Sequence, residues 1–359
     1  MNHLLEIRQL GESIWLDNLS RTLLREGILS KRLEEDGVCG VTSNPSIFYK
    51  AISESPYYKD DLARLKSSVA DIERRYEGLA IPDVQDACDL LLPTFNLSGG
   101  NDGYVSLEVS PHLAHDEEKT VSEAHRLKAA VNRPNLLVKV PATPAGIRAF
   151  ERLTAEGVNV NVTLIFSLQH VLHVFEAYIR GLRSRHAAGG DIRTAKTVAS
   201  LFLSRVDTLV DKKLAALAAP EALSLQGKSA VAMAKLAYQR YNDLFHGAAF
   251  AELEKAGARP QYLLWASTGT KNPSYSDVMY VEPLIGKETI NTIPDATLDA
   301  ARDHARATLS IEQGVPDAQA HYLRLEQMGI SMYQIGEELQ QDGVKLFAEA
   351  FDKLLELMR

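Results

Sequence analysis

The feature that most limits how this chain can fold is a regular alternation of short apolar runs with longer segments of helical period. Eight runs rich in β-branched and apolar residues recur, at 14–18, 37–42, 104–109, 136–140, 158–165, 197–203, 261–266 and 278–281. Between them lie segments whose apolar residues fall three and four apart, such as 20–26, 144–155, 168–183, 205–218 and 228–256. Parallel strands cannot be joined by tight turns, because each connection must carry the chain back to the end of the sheet it left, and a helix serves that purpose. The runs are apolar almost throughout, as strands covered on both faces are. Eight such units in 359 residues predict an α/β protein with a single (β/α)8 TIM barrel.

The spacing is uneven. The stretch between the second and third runs is much longer than a crossover needs, and its pattern over 57–92 predicts a helical insertion. Beyond the last run, 297–309 and 332–358 predict extra C-terminal helices, the second amphipathic and packed on the barrel. No repeat, low-complexity tract or Pro/Gly/Ser linker divides the chain, so residues 1–359 read as one domain with the helices of about 297–359 docked on it. The glycines of 98–103 read as a turn, since the Lys-Ser/Thr of a phosphate loop is missing.

A net charge of −8 argues against a broad nucleic-acid surface while allowing a local cationic pocket for a small anion. Cys39 and Cys88 have no metal-ligand spacing, and such sparse cysteine usage suits a reducing compartment. The N-terminus lacks a basic start followed by an apolar core, and no apolar run nears the roughly 18 residues of a membrane span. A soluble cytoplasmic protein with no membrane or nucleic-acid partner is expected, as a monomer or homodimer.

Polar residues interrupt the predicted strands where a barrel of this kind opens its site, near the strand C-termini. Asp17 ends the first and Asn44 follows the second. Glu108 lies within the third, Lys139 the fourth, Asn161 and Thr163 the fifth, and Ser200 the sixth, with Arg205 just beyond. Lys139 stands out, flanked by Val138 and Val140 in Leu136-Leu-Val-Lys-Val-Pro141. Lysines are seldom buried without a partner or a task, and taking an amine out of water favours its neutral, nucleophilic form. The bland alternative is a lysine whose stem lines the sheet while its head reaches solvent. Asp17 and Glu108 offer the proton transfers that carbon–carbon cleavage needs, the second through a water held by Thr163. Their alternatives are a helix N-cap for Asp17 and a buried ion pair with Lys139 for Glu108; for Asn44 it is an Asx-turn before Pro45. His170 and His173 lack the glutamate of a zinc-protease helix, and His112, His115 and His125 are scattered, so no metal site is expected.

Four stretches resemble the transaldolase family. Gly40-Val-Thr-Ser-Asn-Pro-Ser-Ile-Phe48 is similar to its second-strand signature, and Asn135-Leu-Leu-Val-Lys-Val-Pro-Ala-Thr-Pro-Ala-Gly146 to its lysine signature. Val160-Asn-Val-Thr-Leu-Ile-Phe-Ser167 and Ser200-Leu-Phe-Leu-Ser-Arg205 resemble its fifth- and sixth-strand motifs, and the closing region resembles the longer bacterial members. The resemblance implies a cofactor-free, metal-free class I aldolase-type barrel. It would transfer a dihydroxyacetone unit from sedoheptulose 7-phosphate or fructose 6-phosphate to glyceraldehyde 3-phosphate or erythrose 4-phosphate, in the non-oxidative pentose phosphate pathway. It also implies a Schiff base on Lys139, acid/base work by Asp17, and a catalytic water held by Glu108 and Thr163. Asn44 and Asn161 would bind hydroxyls of the three-carbon unit, with Ser200 and Phe202 lining its pocket and Arg205 on the phosphate. Where the family often has Ser-Phe-Arg after the seventh strand, this chain reads Ala266-Ser-Thr-Gly-Thr-Lys-Asn-Pro273, with Ser267 in place and Lys271 standing in for the arginine. The rival expectations are a fructose 6-phosphate aldolase-like lyase and a non-catalytic sugar-phosphate-binding barrel.

Overall fold

A computed structural model describes residues 2–359. Eight parallel strands close into a barrel in sequence order: β1 Glu12–Leu16, β2 Gly40–Thr42, β3 Tyr104–Glu108, β4 Leu136–Pro141, β5 Val160–Ile165, β6 Thr197–Phe202, β7 Tyr262–Ala266 and β8 Thr289–Ile293. Closure leaves no strand edge unpaired, with Glu12–Leu16 of β1 running beside Thr289–Ile293 of β8. The expected (β/α)8 barrel is therefore present, and seven of its strands fall on the runs read from the sequence.

The eighth does not. Residues 278–281 form a buried turn, and the closing strand is Thr289–Ile293. Thr289-Ile-Asn-Thr-Ile293 carries hydroxyls and an amide that are hydrogen-bonded inside the fold, so it looks less strand-like than the more apolar Val278-Met-Tyr-Val281. A short buried run cannot be assigned by hydrophobicity alone. The two segments touch, for the Asn291 amide donates to the Tyr280 carbonyl at 2.9 Å.

The insertion is helical, as Lys59–Ser68 and a long helix Ile72–Leu97 that contains Pro82 and Pro93. The expected helix over 228–256 is two, Ser229–Phe245 and Ala251–Lys255, interrupted around Gly247. Helices His3–Gln9, Ile28–Glu35 and Val315–Gln327 are not among the segments whose period stood out. The last helix, Met332–Leu357, packs against the ends of β4 and β5. Gly336 and Gly343 permit this, because a Cβ on Gly336 would stand 2.6 Å from the Cβ of Ser167 and one on Gly343 3.1 Å from Leu164. Among the described residues no helix is long and apolar enough to cross a membrane.

The lower barrel is sealed by large side chains, among them the fully buried Trp15. Trp15 donates its indole N–H to Asp102 at 2.8 Å, and its ring lies over Gly40 of β2. A Cβ on Gly40 would sit 2.4 Å from that ring, too close for any real contact. Gly40→Ala should therefore force the indole aside and lower stability by about 3 kcal/mol, at the upper end of overpacking costs. Urea unfolding checks this; an unchanged midpoint would contradict the packing described.

Candidate active site

Register along the sheet decides which side chains meet. Glu108 of β3 pairs with Lys139 of β4, and Lys139 pairs with Asn161 of β5. In-register neighbours on parallel strands project the same way, so a carboxylate, an amine and an amide converge on one level of the barrel. Lys139 is only 5% exposed and forms a salt bridge with Glu108. Its Nζ also donates to the Ser43 carbonyl at 2.9 Å, where the chain leaves β2. The snorkelling alternative fails, since the ammonium head stays inside.

Asp17 follows β1, with its backbone N–H still donating to the Ile293 carbonyl of β8 at 2.9 Å. The helix Arg21–Arg25 is capped by Ser20, so Asp17 has no capping duty. It accepts a 2.7 Å hydrogen bond from the Thr42 hydroxyl, which lies 2.6 Å from the Thr292 hydroxyl of β8. With Thr42 donating to Asp17, Thr292 donates to Thr42, and the two threonines form a chain ending on the carboxylate. Burial pushes the Asp17 carboxyl above its ordinary range, against the opposing pull of Thr42, Lys139 and Lys271. Burial also raises Glu108, opposed chiefly by Lys139. Taking a carboxylate out of water favours its protonated form, so both groups are tuned toward proton exchange.

Above this level lies a cavity of about 220 Å³ lined by Asp17, Asn44, Lys139, Thr163, Ser200, Phe202, Arg205, Ser267 and Lys271. A larger groove of about 600 Å³ runs between the outer helices Ser229–Phe245 and Val315–Gln327, but no strand-end group faces it. The smaller cavity is the one that gathers the strand-end polar groups. Asn44 caps the helix Pro45–Glu54 with its amide oxygen, which accepts from the Ile47 N–H at 3.0 Å. Ser267, in the left-handed region at φ 55°, shares a 2.7 Å hydrogen bond with Ser204.

Arg205, at the start of helix Ser204–Ala216, holds its guanidinium 5.8 Å from the Phe202 ring centroid and 5.9 Å from that of Phe347. It makes no side-chain hydrogen bond or ion pair with any described residue, and burial pushes its pKa down. A half-buried, unpaired guanidinium at a helix N-terminus is suited to an anion. Lys271, beyond the end of β7, lies exposed at the rim.

Asn161 is placed differently from the rest. It is fully buried and does not line the cavity; its amide donates to Ser106 at 3.1 Å and accepts from Ser200 at 2.6 Å. A second, smaller cavity of about 20 Å³ adjoins the first, lined by Glu108, Lys139, Thr163, Val344 and Phe347 among others. One water needs roughly 10–15 Å³ measured this way, so the space suits a single molecule. The buried Thr163 hydroxyl, which lines it, has no partner among the described residues.

Thr42, Thr268, Thr292 and Phe347 also line the main cavity and were not singled out from the sequence. Thr292 was lost with the misplaced eighth strand, and Phe347 comes from the C-terminal helix, which no local motif connects to the barrel mouth. Of the histidines, His170 is buried at the base of that helix, with its Nε2 2.8 Å from Glu337. Among the described residues no three or more His, Cys, Asp or Glu side chains are grouped to hold a metal ion.

An amine held among two carboxylates at the C-terminal mouth of an eightfold barrel defines a lysine-centred sugar-aldolase type of site. The family described as Transaldolase/Fructose-6-phosphate aldolase matches residues 14–358, and the chain belongs to it. A transaldolase of Thiobacillus denitrificans is 59% identical over 355 residues, covering 99% of both chains. One of Neisseria gonorrhoeae is 47% identical with the same coverage, and one of Thermobifida fusca 44% identical over 98% of this chain and 96% of its own.

Removing the Thr42 hydroxyl deletes a hydrogen bond that holds the Asp17 pKa down. In Thr42→Val the acid limb of kcat/KM should therefore move to higher pH, by roughly half a unit or more, with the neutral plateau less affected. A limb that stays put or moves to lower pH would contradict the assignment of that limb to Asp17.

Proposed function

We propose that the protein is a transaldolase that moves a dihydroxyacetone unit between sugar phosphates through an imine on Lys139. The observation that carries this reading is the placement of Lys139, buried beside Glu108 on the floor of a cavity whose rim holds an unpaired Arg205.

The buried pair supplies the first step. Glu108 takes a proton from Lys139, and the neutral amine attacks the ketose carbonyl. Loss of water, assisted by Glu108 and the molecule beside Thr163, leaves an iminium. Asp17 then removes the proton of the C4 hydroxyl, the C3–C4 bond breaks, and its electrons move into the iminium. The aldose phosphate departs and a three-carbon enamine remains on Lys139. An incoming aldehyde phosphate reverses these steps. Asn44 and Ser200, which line the cavity, would orient the hydroxyls of the bound unit, with Phe202 packing beside it. Asn161 acts from below, through its hydrogen bond with Ser200. The donors proposed are sedoheptulose 7-phosphate and fructose 6-phosphate.

A lyase that releases the three-carbon unit is the competing activity within the same family. The full-length likeness to relatives named transaldolase favours transfer. With fructose 6-phosphate and erythrose 4-phosphate together, sedoheptulose 7-phosphate should form. Dihydroxyacetone release from fructose 6-phosphate alone should be on the order of a hundredfold slower, because transfer requires a site that protects the enamine from protonation. Equal rates with and without acceptor would refute the transferase reading. At the phosphate end, Arg205→Ala should raise KM for phosphorylated donors by about tenfold or more, while Lys271→Ala, which removes an exposed charge, should raise it only about twofold. Steady-state kinetics decides; the reverse order would make Lys271 the principal phosphate ligand.

A further inference from the structure

The C-terminal helix places a buried glutamine where the proposed chemistry has no use for one. Gln340 is 8% exposed. Its Nε2 donates to the Ala142 carbonyl at 2.9 Å and to the Leu164 carbonyl at 3.1 Å, and lies 3.5 Å from His170 Nδ1. Both carbonyls stand at strand ends next to the reactive lysine, the first just beyond β4 and the second within β5.

Leu164 is an unusual residue to find there. Its φ is 60°, in the left-handed region that a branched side chain rarely occupies. The register of β5 against β6 shifts at the same place, with Val162 opposite Ala199 and Ile165 opposite Leu201. Three residues of β5 thus span two of β6, which is a bulge. Backbone strain of this kind persists only where surrounding contacts impose it. Gln340 supplies such a contact by donating to the Leu164 carbonyl inside the bulge. His170 lies beside it, accepting from the Phe166 N–H at 3.3 Å through Nδ1 while its Nε2 bonds Glu337 of the C-terminal helix.

Thr163 is the residue immediately before the bulge. Its carbonyl accepts from the Ala142 N–H at 2.8 Å, so Ala142, Thr163, Leu164 and Gln340 form one closed set of hydrogen bonds. The Thr163 hydroxyl faces the small cavity it shares with Glu108 and Lys139. Val344 and Phe347, one and two turns beyond Gln340, wall the same cavity.

We infer that Gln340 is a positioning residue: by holding the β5 bulge it sets the Thr163 hydroxyl and with it the water that makes and breaks the Lys139 imine. This rests on the imine mechanism proposed above. The helix is then part of the reaction's apparatus, and the sugar phosphate never touches the residue concerned.

The test is a double-mutant cycle on the full-length protein, with steady-state transfer kinetics. Gln340→Met keeps the volume and removes the donors. It should lower kcat about tenfold and leave KM for fructose 6-phosphate within about twofold, since misplacing a reacting group affects chemistry more than ground-state binding. In a Thr163→Val background, which has already lost the hydroxyl, the same change should cost no more than about twofold. Multiplicative losses in the double variant, or a KM effect that accounts for the whole change, would overturn the inference. If Gln340→Met does not fold, Gln340→Leu, which likewise has no donor for either carbonyl, is carried through the same cycle with the same two outcomes. Full kcat in Thr163→Val would instead refute the water reading itself, and the inference with it, whereas additivity with an impaired Thr163→Val refutes the inference alone.

Discussion

The ion pair between Lys139 and Glu108 is the interaction on which the rest of the site depends. It arises from parallel register, which sets residue 108 of β3 beside residue 139 of β4. An ammonium in a barrel interior is costly unless it is paired and its donors are satisfied. Glu108 answers the charge, and the Ser43 carbonyl answers a donor. The same pairing gives the amine a proton acceptor within reach, so the contact that makes the lysine tolerable is also the one that makes it usable. Removing either partner would strand the other charge, which is why stability and chemistry are hard to separate at this position.

Around that pair the barrel arranges two ends with different physics. The floor is a network of threonine, serine and asparagine hydroxyls and amides, in which Thr292, Thr42 and Asp17 form one chain and Ser106, Asn161 and Ser200 another. These bonds fix side chains that would otherwise be costly to bury. The rim is cationic and less constrained, with Arg205 between two phenyl rings and Lys271 in solvent. A rigid floor below a more open cationic rim suits the reading proposed above, in which one site handles sugar phosphates of different length.

How much of this the sequence disclosed follows from where each residue sits. Lys139, Asp17 and Glu108 were visible because charges inside or at the ends of apolar runs have few structural excuses. Lys139 alone was balanced between nucleophile and snorkelling side chain, and burial of its head decides against the second. Thr289–Ile293 stayed hidden because a closing strand that carries two buried hydroxyls and a buried amide resembles a loop. Asn161 was recognised as inward-facing, but its hydrogen bonds to Ser106 and Ser200 depend on how three strands align, which no single run reveals. Phe347 and Gln340 were beyond reach for another reason. Their part in the site depends on how a helix docks across the ends of β4 and β5, which Gly336 and Gly343 make possible and no local pattern announces.

The central claim is that Lys139 forms the covalent intermediate, and borohydride reduction during turnover of fructose 6-phosphate tests it most directly. A reduced imine makes a permanent mass addition that peptide mapping can place. The account predicts the adduct on the peptide bearing Lys139, and its absence from Lys139→Met. An adduct on a different lysine, or none while the enzyme is turning over, would contradict it.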